Sequence, residues 1–254
     1  MCLVVFSYRE NGSFLLAGNR DEFYNRETKK AEFWDDIPGL IAGRDLKAGG
    51  TWLGLDQYGN IAVLTNYRHP KYFKEAEKSR GELITEFFKN PNAIDAFSNN
   101  LKKNSEHYNG YNLIFGNPRN KILYFSNVSA ELAEIKFGIH GLSNAFLNTP
   151  WPKVENTKER FEIEVKADYN ETSSEKIFSI LNDTKEAPTE KLPDTGVDID
   201  LEKKLSSPFI KMEGYGTRCS TIISISEIGN IEFTERSYEN DTDKFIDTSF
   251  SFFL

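Results

Sequence analysis

The sequence predicts an α+β fold, a four-layer αββα sandwich built on two mainly antiparallel sheets. Three observations predict it. Strand-rich runs come in pairs around Gly/Asn turns. Two blocks carry helical apolar stripes. The blocks alternate in the order strands (2–66), helix pair (79–104), strands (111–143), helix pair (153–182), strands (216–253). An antiparallel hairpin needs its inner face covered, and a helix with one apolar stripe needs a sheet beneath it. Two sheets face to face, each with a helix pair on its outer side, meet both demands.

Four hairpins are legible. "LVVFSY" and "FLLAG" flank Glu10-Asn11-Gly12. "TWLGLD" and "IAVLTN" flank "QYGN". "YNLIFG" and "KILYFSN" flank "NPRN", and "STIISIS" and "IEFTERS" flank "EIGN". Each is a β-rich run, a turn-forming dipeptide and a second β-rich run. No fixed period links them, so they are not a sequence repeat.

The first helix pair opens on Ser79-Arg80-Gly81-Glu82, which reads as a capping box leading Leu83, Ile84, Phe87 and Phe88. Pro91 is expected to start its partner, with Ile94, Phe97 and Leu101 on one side. The second pair begins after "NTPWPK", with Val154, Phe161 and Val165 on the apolar face. Thr172-Ser173-Ser174-Glu175 reads as another capping box before Ile177, Phe178 and Leu181. The stretch 186–208 holds Pro188, Pro193 and Pro208 with little periodicity, and reads as a surface excursion from one domain spanning 1–254.

Composition narrows the function. The 254 residues are 39% hydrophobic and include 20 Phe, enough for a large core. The net charge of −8 and the lack of a basic tract argue against nucleic acid or anionic lipid as partner. No run approaches a membrane span, and Leu3 to Phe6 is too short for a signal peptide, so a cytoplasmic protein without stable membrane insertion is expected. A small-molecule substrate or ligand is the expected partner, and a homo-oligomer stays open. Two cysteines, Cys2 and Cys219, make no disulfide framework. Three histidines show no metal-ligand spacing.

Cys2 is the residue that carries chemistry. An ordinary thiol ionises near pH ~8.5. A cysteine that begins a chain has its own α-amino group, with a pKa of about 7.7–8.0, as a built-in base. Cys2 is small enough to permit removal of Met1. If 2–8 and 14–20 pair around the Glu10-Asn11-Gly12 turn, the run Asn19-Arg20-Asp21-Glu22 lies beside Cys2. Asp21 could orient the amine, and Arg20 could favour the thiolate. Asn66, Asn127 and Asn144 end strands, and an amide N–H donates to an oxyanion without titrating. The plain alternatives are a buried, inert Cys2, a structural Arg20–Asp21 ion pair, and asparagines that only cap turns. Trp52 and the Gly49-Gly50 pair read as packing and a tight turn.

Four segments together carry a resemblance: "GNRDE", "AGGTWLGLDQYGNIAVLTNYR" (48–68), "HGLSNAFLNTPWPKV" (140–154) and "YGTRCST" (215–221). Taken in this order, the set resembles the NRDE family, also called the transport and Golgi organisation protein 2 family. The resemblance implies the fold of N-terminal nucleophile (Ntn) hydrolases, with Cys2 as nucleophile. It extends to the choloylglycine hydrolase and penicillin V acylase branch, where a cysteine exposed by methionine loss attacks an amide. Asp21 matches that branch's Asp. Its Arg is matched by Arg20, which directly precedes Asp21 instead of lying a few residues earlier. Asn66 in "LTNY" and Asn144 in "LSN" resemble its oxyanion and positioning asparagines, and Arg218 resembles its late active-site Arg. Asn19 and Tyr67, beside these positions, are expected to touch substrate. Since Arg218 and Cys219 alternate on a strand, Arg218 is expected to face the site and Cys219 the core. The implied activity is hydrolysis of a small-molecule amide with no metal or organic cofactor. The alternative is a non-catalytic carrier or trafficking factor for haem or a lipid on the same fold, since the family is linked to membrane traffic, lipid metabolism and haem handling.

Overall fold

The computed structural model describes residues 2–167, 173–240, 242 and 244–254. Fourteen described strands form two seven-stranded sheets in which every pair is antiparallel. The first sheet contains β1 (Cys2–Tyr8), β2 (Phe14–Phe23), β10 (Gly138–Leu142), β11 (Lys211–Met212), β12 (Tyr215–Ile225), β13 (Asn230–Tyr238) and β14 (Phe245–Phe253). Its order is β10-β1-β2-β12-β13-β14, with β11 beside β12. The second runs in chain order: β3 (Thr28–Phe33), β4 (Leu40–Asp45), β5 (Leu53–Asp56), β6 (Ile61–Asn66), β7 (Tyr111–Asn117), β8 (Lys121–Ser126) and β9 (Glu131–Glu134).

All four hairpins read from sequence form. They divide between the sheets: β1–β2 and β12–β13 in the first, β5–β6 and β7–β8 in the second. The β3–β4 hairpin was not expected. Its strand "TKKAEF" is mostly exposed and lacks the alternation that signals a half-buried strand.

Three apolar layers hold the sandwich. Val4, Phe6, Phe14, Leu16, Ile114 and Phe233 fill the space between the sheets. Helices α1 (Glu82–Lys89) and α2 (Ile94–Asn104) cover the second sheet, where Phe87 meets Phe88, Phe97 and Phe115 at ring separations of 5.2–5.7 Å. Helices α3 (Pro152–Ala167) and α4 (Ser174–Leu181) cover the first through Phe161, Val165, Ile177 and Phe178.

Three local readings are corrected. Ser79 does not cap α1: Gly81 holds that position without a side-chain bond, and Glu82 instead accepts from the Tyr108 hydroxyl at 2.6 Å. Pro91 precedes α2 by three residues, since the Asn90–Ala93 turn comes first. At α4 the box again fails on the described residues. Ser173 makes no cap bond, Glu175 pairs with Arg236 at 2.6 Å, and Thr172 lies outside the described residues. The stretch 186–208 is also more than a surface excursion. It contains α5 (Ile199–Lys204) and buries Thr195, Glu202, Leu205, Ser206 and Ser207.

Phe87→Ala would remove the ring that joins α1 to α2 and the sheet. It is expected to cost about 3–5 kcal/mol, read as a lower midpoint in urea unfolding with an unchanged slope.

Candidate functional site

The β1–β2 register sets the site. Cys2 lies opposite Arg20, and Arg20 lies opposite Cys219 on β12. Directly opposed residues of antiparallel strands share a face. Cys2, Arg20 and Cys219 therefore form one row facing the second sheet. Asp21 falls on the other face with Ala17 and Leu15, toward α3 and α4.

At this end of the sandwich a cavity of about 110 Å³ opens to solvent. Cys2, Arg20, Asp21 and Asn66 all line it. Arg20 is only 5% exposed, and its guanidinium lies 4.3 Å from the centre of the Trp52 ring. Thr28 Oγ1 accepts from it at 3.4 Å, while Glu22 and Asp45 stand at 3.8 and 3.9 Å. These contacts are long for a group with five donors, which leaves Arg20 able to bind an anionic group. The Asn66 carbonyl accepts from Asn144 Nδ2 at 2.9 Å. Its carboxamide has no hydrogen-bond partner among the described residues.

Four expected site residues do not line the cavity. Asn19 alternates with Arg20 and points to the helix layer, where its amide donates to the Leu181 and Pro208 carbonyls at 2.8 and 2.9 Å. Tyr67 packs edge-on against Tyr72 and at a tilt beside Phe146. Asn144 is fully buried and holds the Asn66 carbonyl from behind. Arg218 sits in a bulge of β12 and donates to the carbonyls of Phe23, Tyr24 and Arg26 at 2.9–3.4 Å. The bulge breaks the alternation on which the Arg218/Cys219 reading relied. Cys219 is buried, but on the same face as Cys2. Asn127 is likewise structural, accepting from the Tyr111 N–H at 2.7 Å.

Sequence reasoning missed Arg26, Asp45, Ser79 and Arg80, which complete the cavity wall, and gave Trp52 only a packing role. Asp45 links two of its parts. One carboxylate oxygen accepts from the Lys47 and Ala48 N–H groups, and the other from Arg26 Nε at 2.6 Å. The loop then turns through Gly49 at φ +76° and presses Gly50 against Gly81. A Cβ on Gly50 would lie 2.5 Å from the Gly81 carbonyl carbon. That glycine pair was the available signal for a close approach, though nothing in it pointed to Arg80. Similarly, Gly43 leaves room for Trp52, whose indole would be 2.3 Å from a Cβ there.

The electrostatics oppose a pre-formed thiolate. Burial pushes the Cys2 thiol up, Asp21 adds to the rise, and Arg20 works against it without prevailing. Burial also raises the Asp21 carboxyl, against which the Lys153 ammonium acts most strongly among side chains; Thr217 donates to Asp21 Oδ1 at 2.7 Å.

A family model, Transport and Golgi organisation 2, matches residues 1–240. The chain belongs to the Transport and Golgi organisation 2 family. A human Transport and Golgi organization protein 2 homolog is 34% identical over 259 residues, 93% of each chain. A mouse homolog is 30% identical over 276 residues, covering 100% of this chain and 99% of the relative. Among solved structures, a mutant of the conjugated bile acid hydrolase of Clostridium perfringens superposes with a TM-score of 0.55. It is 11% identical and covers 100% of this chain and 97% of its own. This member of the Transport and Golgi organisation 2 family therefore has an αββα sandwich in common with an Ntn hydrolase. Among the described residues, no helix is long and apolar enough to cross a membrane.

Gly50→Ala is expected to destabilise the protein by about 1–3 kcal/mol through overpacking against backbone. The check is a lowered Tm, accompanied by faster hydrogen exchange in the 45–51 loop.

Proposed function

We propose that the protein is a cysteine N-terminal-nucleophile hydrolase that cleaves a small-molecule amide after removal of Met1. The observation that carries this reading is the convergence of Cys2, Arg20, Asp21 and Asn66 on one cavity. Cys2 Sγ attacks the carbonyl carbon while the thiol proton passes to the Cys2 α-amine. The Asn66 amide donates to the developing oxyanion, and Asn144 fixes the Asn66 backbone. The C–N bond breaks as the α-ammonium returns its proton to the leaving amine. Water, deprotonated by the same amine, then hydrolyses the thioester to the acid and frees the thiol. Asp21 orients the amine. Arg20, with Arg26 and Arg80 on the same wall, favours a substrate bearing an acidic group. Arg218 acts one step removed, by holding the turn that carries Arg26.

One observation favours a second reading, a non-catalytic carrier for haem or a lipid. Cys2 is buried, and its thiol is neutral at physiological pH. The two readings separate at the N-terminus. The hydrolase reading expects intact mass to show loss of Met1, and expects turnover of acidic small-molecule amides to fall to background in Cys2→Ala. Retained Met1 in a protein that turns over amides, or undiminished turnover in that variant, would overturn it.

Asn66→Ala is expected to lower kcat about 10²–10³-fold, the range for loss of one oxyanion donor. Steady-state kinetics with KM near the wild-type value checks this.

A further inference from the structure

Four strands end the two sheet orders: β10 and β14 in the first, β3 and β9 in the second. A sheet edge presents unpaired backbone N–H and C=O groups, and proteins blunt it with charge, proline, a bulge or a cover. Three of these edges are blunted. On β10 the Asn148 side chain accepts from the Gly141 N–H at 3.0 Å, and the Asn148 N–H donates to the Gly141 carbonyl at 2.8 Å. β3 carries Lys29, Lys30 and Glu32 and shifts register between Lys29 and Glu32. β9 is four residues long, with Glu131 and Glu134 at its ends.

β14 has none of these devices. It is nine residues long, reads "FIDTSFSFF", and pairs with β13 without a bulge from Phe245 to Phe253. It contains no lysine, arginine or proline. Its one charge, Asp247, is taken up by Arg236 through bonds of 2.9 and 2.8 Å. Among the described residues it has no strand neighbour on its outer side. Three of its apolar side chains stand in solvent: Phe245 is 48% exposed, Ile246 58% and Phe253 67%. Phe33, at the end of β3, is also exposed and packs edge-on to Phe250 at 5.3 Å.

We infer that β14 is a homodimer interface: the β14 strands of two copies pair antiparallel about a two-fold axis at Ser249, joining their first sheets into one. The register follows from the strand. Phe250, Phe252 and Leu254 pack into the space between the sheets, so the even-numbered residues face inward. Asp247 meets Arg236, which reaches Glu175 on α4, so the odd-numbered residues face the helices. Directly opposed residues share a face. A shift by one residue would set inner residues against outer ones and is excluded. Of the two-fold registers that remain, the one centred on Ser249 pairs all nine residues. It sets Phe245 opposite the partner's Phe253, and Ile246 opposite the partner's Phe252, at both ends of the seam. The exposed rings of each copy are thus covered by the other. Asp247 falls opposite the partner's Ser251, so no like charges meet. That matters for a chain of net charge −8, whose copies repel over most of their surface. One row of opposed residues, Cys2, Arg20, Cys219, Ser237 and Ile246, crosses the first sheet. The Cys2 cavity therefore lies toward the Ile246 end of β14, and the two-fold sets the two cavities at opposite ends of the joined sheet. Dimerisation is thus independent of the chemistry proposed for Cys2.

The test is light scattering on the full chain as it elutes from a sizing column, at rising concentration. The mass is expected to climb from 29.1 kDa for the monomer toward twice that value and to stop there. Hydrogen exchange on the same samples should show the amides of 245–253 gaining protection as the dimer forms, while those of the β9 edge keep their rates. Ser249→Lys sets two ammonium groups against each other at the axis and is expected to raise Kd about fivefold or more. Ser249→Asp should do the same, and an equimolar mixture of the two variants should restore the dimer, because opposite charges then meet. Ser249 is exposed and shares a hydrogen bond with Thr234 Oγ1 at 3.1 Å, so both variants are expected to keep the wild-type circular dichroism spectrum. A monomer at every concentration overturns the inference and leaves the edge for a strand of another protein. A dimer that Ser249→Lys does not weaken, or a mass that climbs beyond two copies, also overturns it. If neither variant folds, the wild-type exchange decides: a dimer that forms without protecting 245–253 overturns it.

Discussion

The two-residue period of β2 is the constraint on which the site depends. Pairing Cys2 with Arg20 sends Arg20 between the sheets and Asp21 toward the helices. Two adjacent charges, one residue apart in sequence, thus enter different environments. Arg20 meets an aromatic face and distant carboxylates. Asp21 meets a hydroxyl, an aromatic O–H and buried cations. A slip of one residue would exchange them. It would turn the Asn19 and Asp21 side chains between the sheets and drive the guanidinium into the apolar layer of Phe161 and Ile177. Apolar residues earlier in the same strand hold the register: Phe14 and Leu16 on the inner face, Leu15 and Ala17 on the outer.

The cavity wall depends on a different device. Loops cannot pack against one another without satisfying their backbone groups. Here side chains from the strand ends do so. Arg218 collects three carbonyls of the turn after β2, and Asp45 collects two N–H groups of the loop after β4. Arg26 and Asp45 then join the two loops. The glycine contact at Gly50 and Gly81 brings the start of α1 against this unit and so places Ser79 and Arg80 on the wall. Arg218 is a site residue in effect, but through the backbone it holds.

This division explains what could be read from sequence. The layers, four hairpins and both helix pairs follow from periodicity and turn chemistry, which are local. Cys2, Arg20, Asp21 and Asn66 were legible because the first hairpin is local and Asn66 ends a well-marked strand. The same alternation would have excluded Asn19 had it been applied to the residue next to Arg20. Arg218 could not be placed, because a bulge shifts register without a signal in "YGTRCST". Asn144 and Tyr67 were misplaced because a strand-end position does not say which side of the end faces the cavity. Arg26, Asp45 and Arg80 come together through loop–loop contacts far apart in sequence, and no spacing rule reaches them. Glu202 was hidden in a proline-bearing stretch whose composition resembles exposed loop.

The proposed reaction makes contrary demands on two acids of one hairpin. The thiol must start neutral and lose its proton only as the C–S bond forms, because burial has already removed the pre-formed thiolate. The amine that receives the proton has an ordinary pKa near ~8, so transfer from a raised thiol is uphill. That cost is offset only where the resulting ammonium and oxyanion are both held. Asn66 can serve the oxyanion. The ammonium needs an ionised Asp21, yet burial presses that carboxyl toward neutrality as well. Burial raises both groups. The cations that oppose this rise are placed unequally across the sheet: Arg20, long in its contacts and stacked on Trp52, lies on the cysteine's face, and Lys153, buried and donating to the Leu205 carbonyl, lies on the helix side. Acid–base chemistry at neutral pH requires titratable groups in different surroundings, and here the β2 alternation supplies the two surroundings.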